Sequence, residues 1–457
     1  MSSNNFVRGL TGLAVCASLP GAVLAQKKQD KPNVLIIYTD DMGVGDVSFL
    51  NSGWVKTPNI DRLAQQGLVI DQYYSAAPVS SPSRVGLTTG QYPLQWGINT
   101  FLNDRRMNRA VEQFDYLDAS APSMARAFKD GGYVTGHFGK WHMGGGRDVD
   151  DAPSITLYGF DEYKSTYESP DPDPRITAGN WIWQKNDEIK RWDRTAYFVD
   201  LTLDFFKRHK GEPCFVNLWP DDMHDPWVYG PEVLDKNGTF STQPNFEKVL
   251  AEYDRQMGRL MDGLKELGIE DNTIVIFTSD NGPAPSFKQI RANMMRGTKN
   301  SLYEGGIRMP FIIRWPDRIK GGQVNDRSIV TALDLFPSLC KMAGVELPDG
   351  YNPGGEDMSK ALMGKKQTRK KDMMWDFGRN ATFARPGNGN YSPHLAIRRG
   401  DWKLLMNSDG TRIELYNLCD DINETTNVAD ANPKLVEKLK TELLKWWDTR
   451  KVRPSSM

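Results

Sequence analysis

Leu68-Val69-Ile70-Asp71-Gln72-Tyr73-Tyr74 leads through Ala77-Pro78-Val79 into Ser80-Ser81-Pro82-Ser83-Arg84, and then Gly86-Leu87-Thr88-Thr89-Gly90. The pattern predicts a strand over Leu68–Tyr74, a tight turn containing proline, and a helix that begins near Ser80. Such a strand–turn–helix unit places the turn at the carboxyl edge of an α/β sheet, where nucleophiles are usually presented. Ser80 is therefore a candidate nucleophile, and Arg84, one helical turn further on, can reach back over it. Taken alone, the five residues are better explained by a Ser/Pro-rich surface turn. The reading depends on what the rest of the chain supplies.

Two further runs end in acids. Asn33-Val34-Leu35-Ile36-Ile37-Tyr38-Thr39 is nearly all apolar, as expected of a strand covered on both faces, and is followed by Asp40-Asp41-Met42-Gly43. Thr273-Ile274-Val275-Ile276-Phe277-Thr278 leads in the same way into Ser279-Asp280-Asn281-Gly282. Adjacent carboxylates repel unless a cation lies between them. Asp40, Asp41, Asp280 and Asn281 offer only oxygen, which suits calcium or magnesium and disfavours zinc. Either pair by itself reads as a turn; two such pairs capping buried strands are hard to explain as turns.

Three more blocks complete the set: Gly132-Tyr133-Val134-Thr135 with Gly139-Lys140-Trp141-His142-Met143-Gly144, then His224-Asp225-Pro226 after Phe215–Trp219, then Lys299 with Glu304-Gly305-Gly306-Ile307-Arg308-Met309-Pro310. In this order the blocks resemble the type I sulfatases of the alkaline-phosphatase-like superfamily. That family carries Cys/Ser-x-Pro-x-Arg, Gly-Lys-Trp-His-x-Gly and Lys-x4-Glu-Gly-Gly-x-Arg-x-Pro segments. Glu414-Leu415-Tyr416-Asn417-Leu418 and Glu424–Asn427 are similar to its closing segment, so the likeness runs from about Asn33 to about Val428.

The resemblance implies that Ser80 is oxidised to formylglycine, whose hydrate attacks sulfur beside a calcium ion held by Asp40, Asp41, Asp280, Asn281 and the modified residue. Arg84 would stabilise the attacking hydroxyl, and Lys140 and Lys299 would clamp the sulfuryl oxygens. His224 would protonate the departing alcohol, and His142 would take the proton of the second hydroxyl as sulfate leaves. Glu304 and Arg308 would hold the Gly-Gly turn. A serine at this position implies a bacterial radical-type maturase as partner. The implied substrate is a sulfated carbohydrate or an aryl sulfate. Two rivals stand beside this reading: a phosphatase or phosphodiesterase of the same superfamily, and an inactive sulfated-glycan-binding homologue.

Composition agrees with an exported enzyme. The 457 residues carry a net charge of −1, so no global field points to nucleic acid or an anionic membrane. Residues 1–25 read as a signal peptide: Arg8, an apolar core from Leu10 to Leu24, and Val23-Leu24-Ala25 for cleavage. The core is too short for a comfortable membrane span, and the bacterial periplasm is the expected location. Cys214, Cys340 and Cys419 are too few and too scattered for a disulfide framework. Strand and helix patterns alternate to about residue 345, predicting a large, mainly parallel sheet flanked by helices in residues 26–364. The run Lys365–Lys371 reads as a solvated connection to a smaller C-terminal domain, 365–457. Its expected parts are strands at Met373–Phe377, Leu395–Arg399, Trp402–Met406 and Ile413–Tyr416, and a helix capped by Asn432-Pro433. Trp181, Trp183 and Trp192 lie among Arg175, Lys185, Lys190, Arg191 and Arg194, a mixture that suits sulfated sugars and core packing about equally. Arg379, Arg385 and His394 are candidates to reach the site from the second domain.

Overall fold

Alternate residues of the Asn33–Thr39 strand enter two different cores. Val34, Ile36 and Tyr38 pack on one face with Val85, Leu87, Phe336 and Leu339; Leu35 and Ile37 pack on the other with Leu63, Phe205, Tyr253 and Leu260. A strand covered on both faces must be apolar at every position, which is why this run shows no polar alternation. The computed structural model describes residues 31–453, apart from 52, 146–148, 178–182, 234–239, 379–385 and 388. Residues 1–25, Trp181, Arg379 and Arg385 lie outside the described residues.

The main sheet contains β1 (Asn33–Thr39), β2 (Leu68–Tyr74), β3 (Val134–Gly139), β4 (Glu162–Ser165), β5 (Cys214–Trp219), β6 (Thr273–Ser279), β7 (Arg308–Met309), β8 (Phe311–Arg314) and β9 (Gln323–Thr331). Their order is β4-β3-β5-β1-β6-β8-β2-β7, with β9 paired to β2. Neighbours from β4 to β6 are parallel, whereas β8 runs antiparallel to both β6 and β2. Since two reversals restore direction, β2 points the same way as β1, and the turns after β1, β2, β3, β5 and β6 all open at one edge. The expected mainly parallel sheet is thus present, with an antiparallel insertion where the chain turns back after Gly305-Gly306. A side chain on Gly306 would place its first carbon 2.0 Å from the Ser301 carbonyl oxygen, so that reversal requires glycine.

Helix Gln243–Glu266 shows how the outer layers attach. Phe246, Leu250, Tyr253, Met257, Leu260 and Leu264 recur at helical spacing and are all buried on the sheet. Each such side chain contributes roughly 1.5–3 kcal/mol on burial.

A second sheet, β10 (Met373–Asp376), β11 (Leu395–Arg399), β12 (Trp402–Met406) and β13 (Glu414–Asn417), is antiparallel throughout. Its ends fall within one residue of the expected ones. One face carries helix Pro433–Trp447 through Leu439 and Leu443, which are buried; Leu435 and Trp446 of the same helix are partly buried. Asn432 holds the cap position, but its side chain turns back to donate to the Val428 carbonyl, 2.9 Å away. The other face packs Trp375, Ala396, Leu405 and Tyr416 on Tyr74, Val79, Leu302, Tyr303 and Ile307, directly behind the Ser80 turn.

The Lys365–Lys371 connection is exposed at Lys365, Lys366, Thr368, Lys370 and Lys371, as expected, with one exception. Arg369 is not solvated: it is buried on Asp334, 2.5 Å away, in the first turn of helix Ala332–Ala343, and Lys371 donates to the Pro353 and Gly355 carbonyls. Cys214, Cys340 and Cys419 are free thiols. Among the described residues no helix is long and apolar enough to cross a membrane.

Candidate active site

Register decides where the acids meet. Thr39 of β1 lies opposite Ser279 of β6, so the residues that follow, Asp40-Asp41 and Asp280-Asn281, emerge side by side. The Asp280 amide donates to the Thr39 carbonyl at 3.0 Å, and the Asp41 amide donates to Asp280 Oδ1 at 3.1 Å. Asp41 adopts φ 59°, a left-handed conformation that aspartate tolerates better than most residues. Carboxylate oxygens of Asp40, Asp41 and Asp280 all lie within 4.8 Å of one another.

Ser80 is the first residue of the wholly buried helix Ser80–Thr89. Its hydroxyl is 3.0 Å from Asp40 Oδ1 and 3.4 Å from Asn281 Oδ1. Arg84 extends past Ser80 to Asp280 at 2.8 Å and Asp40 at 3.5 Å, with Tyr38 and Trp219 rings beside its guanidinium. Lys140 follows β3, where Gly139 at φ 125° lets the backbone pass against the Trp219 carbonyl. The Lys140 ammonium meets Asp40 at 2.9 Å, and that of Lys299 meets Asp41 at 2.8 Å. His224 Nε2 lies 3.1 Å from Lys299 Nζ, while its Nδ1 is held by the Asp225 carbonyl. His142 lies beyond Lys140, with Nδ1 3.1 Å from Glu168 Oε2. The site is buried at Ser80 (1% exposed) and open at Lys299 (16%) and His224 (27%), so substrate must approach from the His224 side.

Charge is concentrated here. Burial, then Asp40, pushes the Asp280 carboxyl up to about 7 even though Arg84 opposes it. Burial acts on Asp40 and Asp41 as well; Lys140 and His224 hold Asp40 well below its ordinary value, and Lys299 and His224 lower Asp41. Burial draws His142 down to about 3, so its ring is neutral near pH 7. Four carboxylates, counting Glu168, face only three permanent cations, Arg84, Lys140 and Lys299. An all-oxygen set with surplus negative charge fits a hard divalent cation.

The Sulfatase family model matches residues 32–345, more than half of the chain, and one described as N-sulphoglucosamine sulphohydrolase, C-terminal, matches residues 298–449. The chain belongs to the sulfatase family. This sulfatase is 29% identical to the N-acetylgalactosamine-6-O-sulfatase of Bacteroides thetaiotaomicron, with 96% of its own chain and 98% of that protein covered. It is 30% identical to the N-acetylgalactosamine-6-sulfatase of Sus scrofa, covering 81% of this chain and 73% of the relative. A solved structure described under metabolism of multiple glycosaminoglycans by Bacteroides thetaiotaomicron matches with TM-score 0.74 at 28% identity, covering 92% of this chain and 100% of that one. A complex with a neocarrahexaose matches with TM-score 0.73 at 25% identity, covering 93% and 94%. Like its relatives, the sulfatase is a sulfuric ester hydrolase.

All of Asp40, Asp41, Ser80, Arg84, Lys140, His142, His224, Asp280, Asn281 and Lys299 fall in one contiguous network. The other histidines stay outside it. His137 is boxed by Trp141, Phe160 and Trp219, His209 faces Glu162 and Glu212, and His394 bonds Tyr391. Arg191 and Arg194 are buried on Asp221, and Arg191 also donates to the His224 carbonyl at 3.1 Å. These two arginines therefore brace the His224 loop. Glu168 was not legible in the sequence: it lies in no matched block, and its only signal is a place just after β4, the parallel neighbour of β3.

Proposed function

We propose that this sulfatase removes sulfate from a galactose- or hexosamine-type sugar of a sulfated glycan, with Ser80 oxidised to formylglycine and one calcium ion held by Asp40, Asp41, Asp280, Asn281 and the modified residue. The observation that carries the reading is the Ser80 hydroxyl lying 3.0 Å from Asp40, with Lys140 and Lys299 anchored on the same Asp40-Asp41 pair. The names of the relatives support a sulfated amino sugar or galactan. Oxidation of Ser80 would give an aldehyde whose hydrate offers two hydroxyls, one to attack sulfur and one to lose a proton as sulfate departs. Calcium would add positive charge beside that residue and the sulfuryl oxygens.

The remaining steps belong to the chain's own side chains. Lys140 and Lys299 compensate charge on the sulfuryl oxygens as point charges. Arg84, locked on Asp280 and Asp40, keeps positive charge behind Ser80. His142 is neutral near pH 7, the form a proton acceptor requires, and is assigned to take the proton of the second hydroxyl. His224 stands at the open side, where the sugar must lie, and is assigned to protonate the departing alcohol. In the free enzyme burial and Lys299 lower its pKa. A sulfate ester docked on Lys299 offsets that ammonium and favours the imidazolium the step requires. Export through residues 1–25 to a bacterial periplasm, and maturation by a radical-type enzyme that accepts serine, complete the proposal.

A panel of defined sulfated mono- and disaccharides, with aryl sulfate and aryl phosphate as controls, tests it. Sulfate release that is lost on chelation and restored by calcium is expected. Preferred turnover of aryl phosphate with stoichiometric zinc would establish the phosphatase reading, and glycan binding without turnover of any ester by the matured enzyme would establish an inactive homologue.

A further inference from the structure

We propose that Glu168 is a positioning residue that fixes both His142 and Lys140 for the reaction; the proposal rests on His142 acting as the proton acceptor. Glu168 meets His142 at two points, one a main-chain hydrogen bond and the other a side-chain charge contact. Its main-chain carbonyl accepts the His142 amide hydrogen at 2.9 Å, and its carboxylate oxygen Oε2 lies 3.1 Å from His142 Nδ1. His142 adopts φ 51°, a left-handed conformation that the main-chain bond to Glu168 helps to hold. The same Oε2 lies 3.2 Å from Lys140 Nζ, which also meets Asp40. Glu168 is itself immobilised: Tyr167 donates to its other oxygen at 2.6 Å, and the residue is buried. The result is a chain from Asp40 through Lys140 and Glu168 to His142.

This arrangement has a defined consequence for the imidazole. A carboxylate 3.1 Å from Nδ1 favours the tautomer with its proton on that nitrogen, leaving Nε2 as the basic atom. Lysine has a flexible stem and a compact charge, so anchoring its ammonium between two fixed carboxylates restricts it to one position. A carboxylate that only neutralised Lys140 would require neither the Nδ1 contact nor the main-chain bond to His142.

Long-range proton–nitrogen NMR of the full chain with labelled histidine reads the tautomer directly, and His142→Ala identifies the signal among the five histidines. The native enzyme should show the Nδ1–H form at His142. Glu168→Ala should lose that preference and lower kcat about 10–100-fold with KM little changed. Glu168→Gln, which keeps an acceptor oxygen, should restore part of both and keeps the test available if the alanine variant folds poorly. In a His142→Ala background the Glu168→Ala penalty should shrink, because the two act as one unit. An Nε2–H ring in the native enzyme, or an equal Glu168→Ala penalty in both backgrounds, overturns the proposal. Full activity in His142→Ala would instead remove the proton-acceptor role, while the tautomer measurement still decides whether Glu168 holds the ring.

Discussion

His224 is the most exposed polar group of the site, 27% against 16% for Lys299 and 7% for His142. The leaving alcohol carries the rest of the glycan, so it must lie toward the open side and beside His224. A sugar alkoxide leaves poorly without a proton, and general acid catalysis is typically worth ~10²–10⁴-fold, whereas nitrophenolate leaves readily unaided. His224→Ala should therefore slow turnover of a sulfated sugar by that order and affect nitrophenyl sulfate far less. Equal damage to both substrates would mean that His224 positions sulfate and is not the acid. At this scale the sequence was informative because most site residues follow a strand in a short block with glycine or proline, and Lys299 precedes the Gly305-Gly306 turn. Glu168 was hidden because its partners Lys140 and His142 meet it only through the β3–β4 pairing. Arg84 shows the same limit, since spacing predicted its reach toward Ser80 but not its anchorage on Asp280.

The elements behind the site carry a second charge cluster. Lys403 of β12 is buried between Glu304 and Glu424, 2.9 Å from each, and Glu424 also accepts from the Glu304 amide at 2.7 Å. Glu304 thus does more than hold the Gly-Gly turn, for it ties the segment bearing Lys299 to the second sheet; Arg308 secures the same turn to Asp71 of β2 at 2.7 Å. Removing the shared cation leaves two buried carboxylates, so Lys403→Met should cost about 3–5 kcal/mol in a denaturation experiment. Burial, opposed by Lys403 and reinforced by Glu304, raises the Glu424 carboxyl from 4.5 to about 7. A raised carboxyl binds its proton more tightly in the folded state. Its contribution to stability is complete below about pH 4.5 and is lost as pH rises to about 7. Melting temperatures at pH 5 and pH 8 should therefore fall more in the native enzyme than in Glu424→Gln; identical slopes would assign the charge differently. Glu304 and Glu424 both stood in recognisable motifs, but their shared lysine did not, because strand pairing brings it between them.

At the scale of the molecule, the two sheets were readable from periodicity and their contact was not. The apolar back of the second sheet covers Tyr74, Val79, Leu302, Tyr303 and Ile307, all on segments that frame the site. Removing residues 365–457 should expose that surface and yield aggregated or inactive protein, as judged by solubility and protease resistance; a soluble, folded 26–364 fragment would show that the first sheet stands alone. The strand order could not be read from the chain either, because β8 lies between β6 and β2 through a reversal that follows a glycine pair. Everything in this architecture converges on the turn after β2, where Ser80 meets Asp40. The central claim is that this serine becomes the nucleophile by oxidation. Peptide mass spectrometry of fully active enzyme, co-produced with a serine-type maturase, should show the Ser80 peptide lighter by two hydrogens in proportion to activity, and an unmodified Ser80 in fully active enzyme would contradict the account.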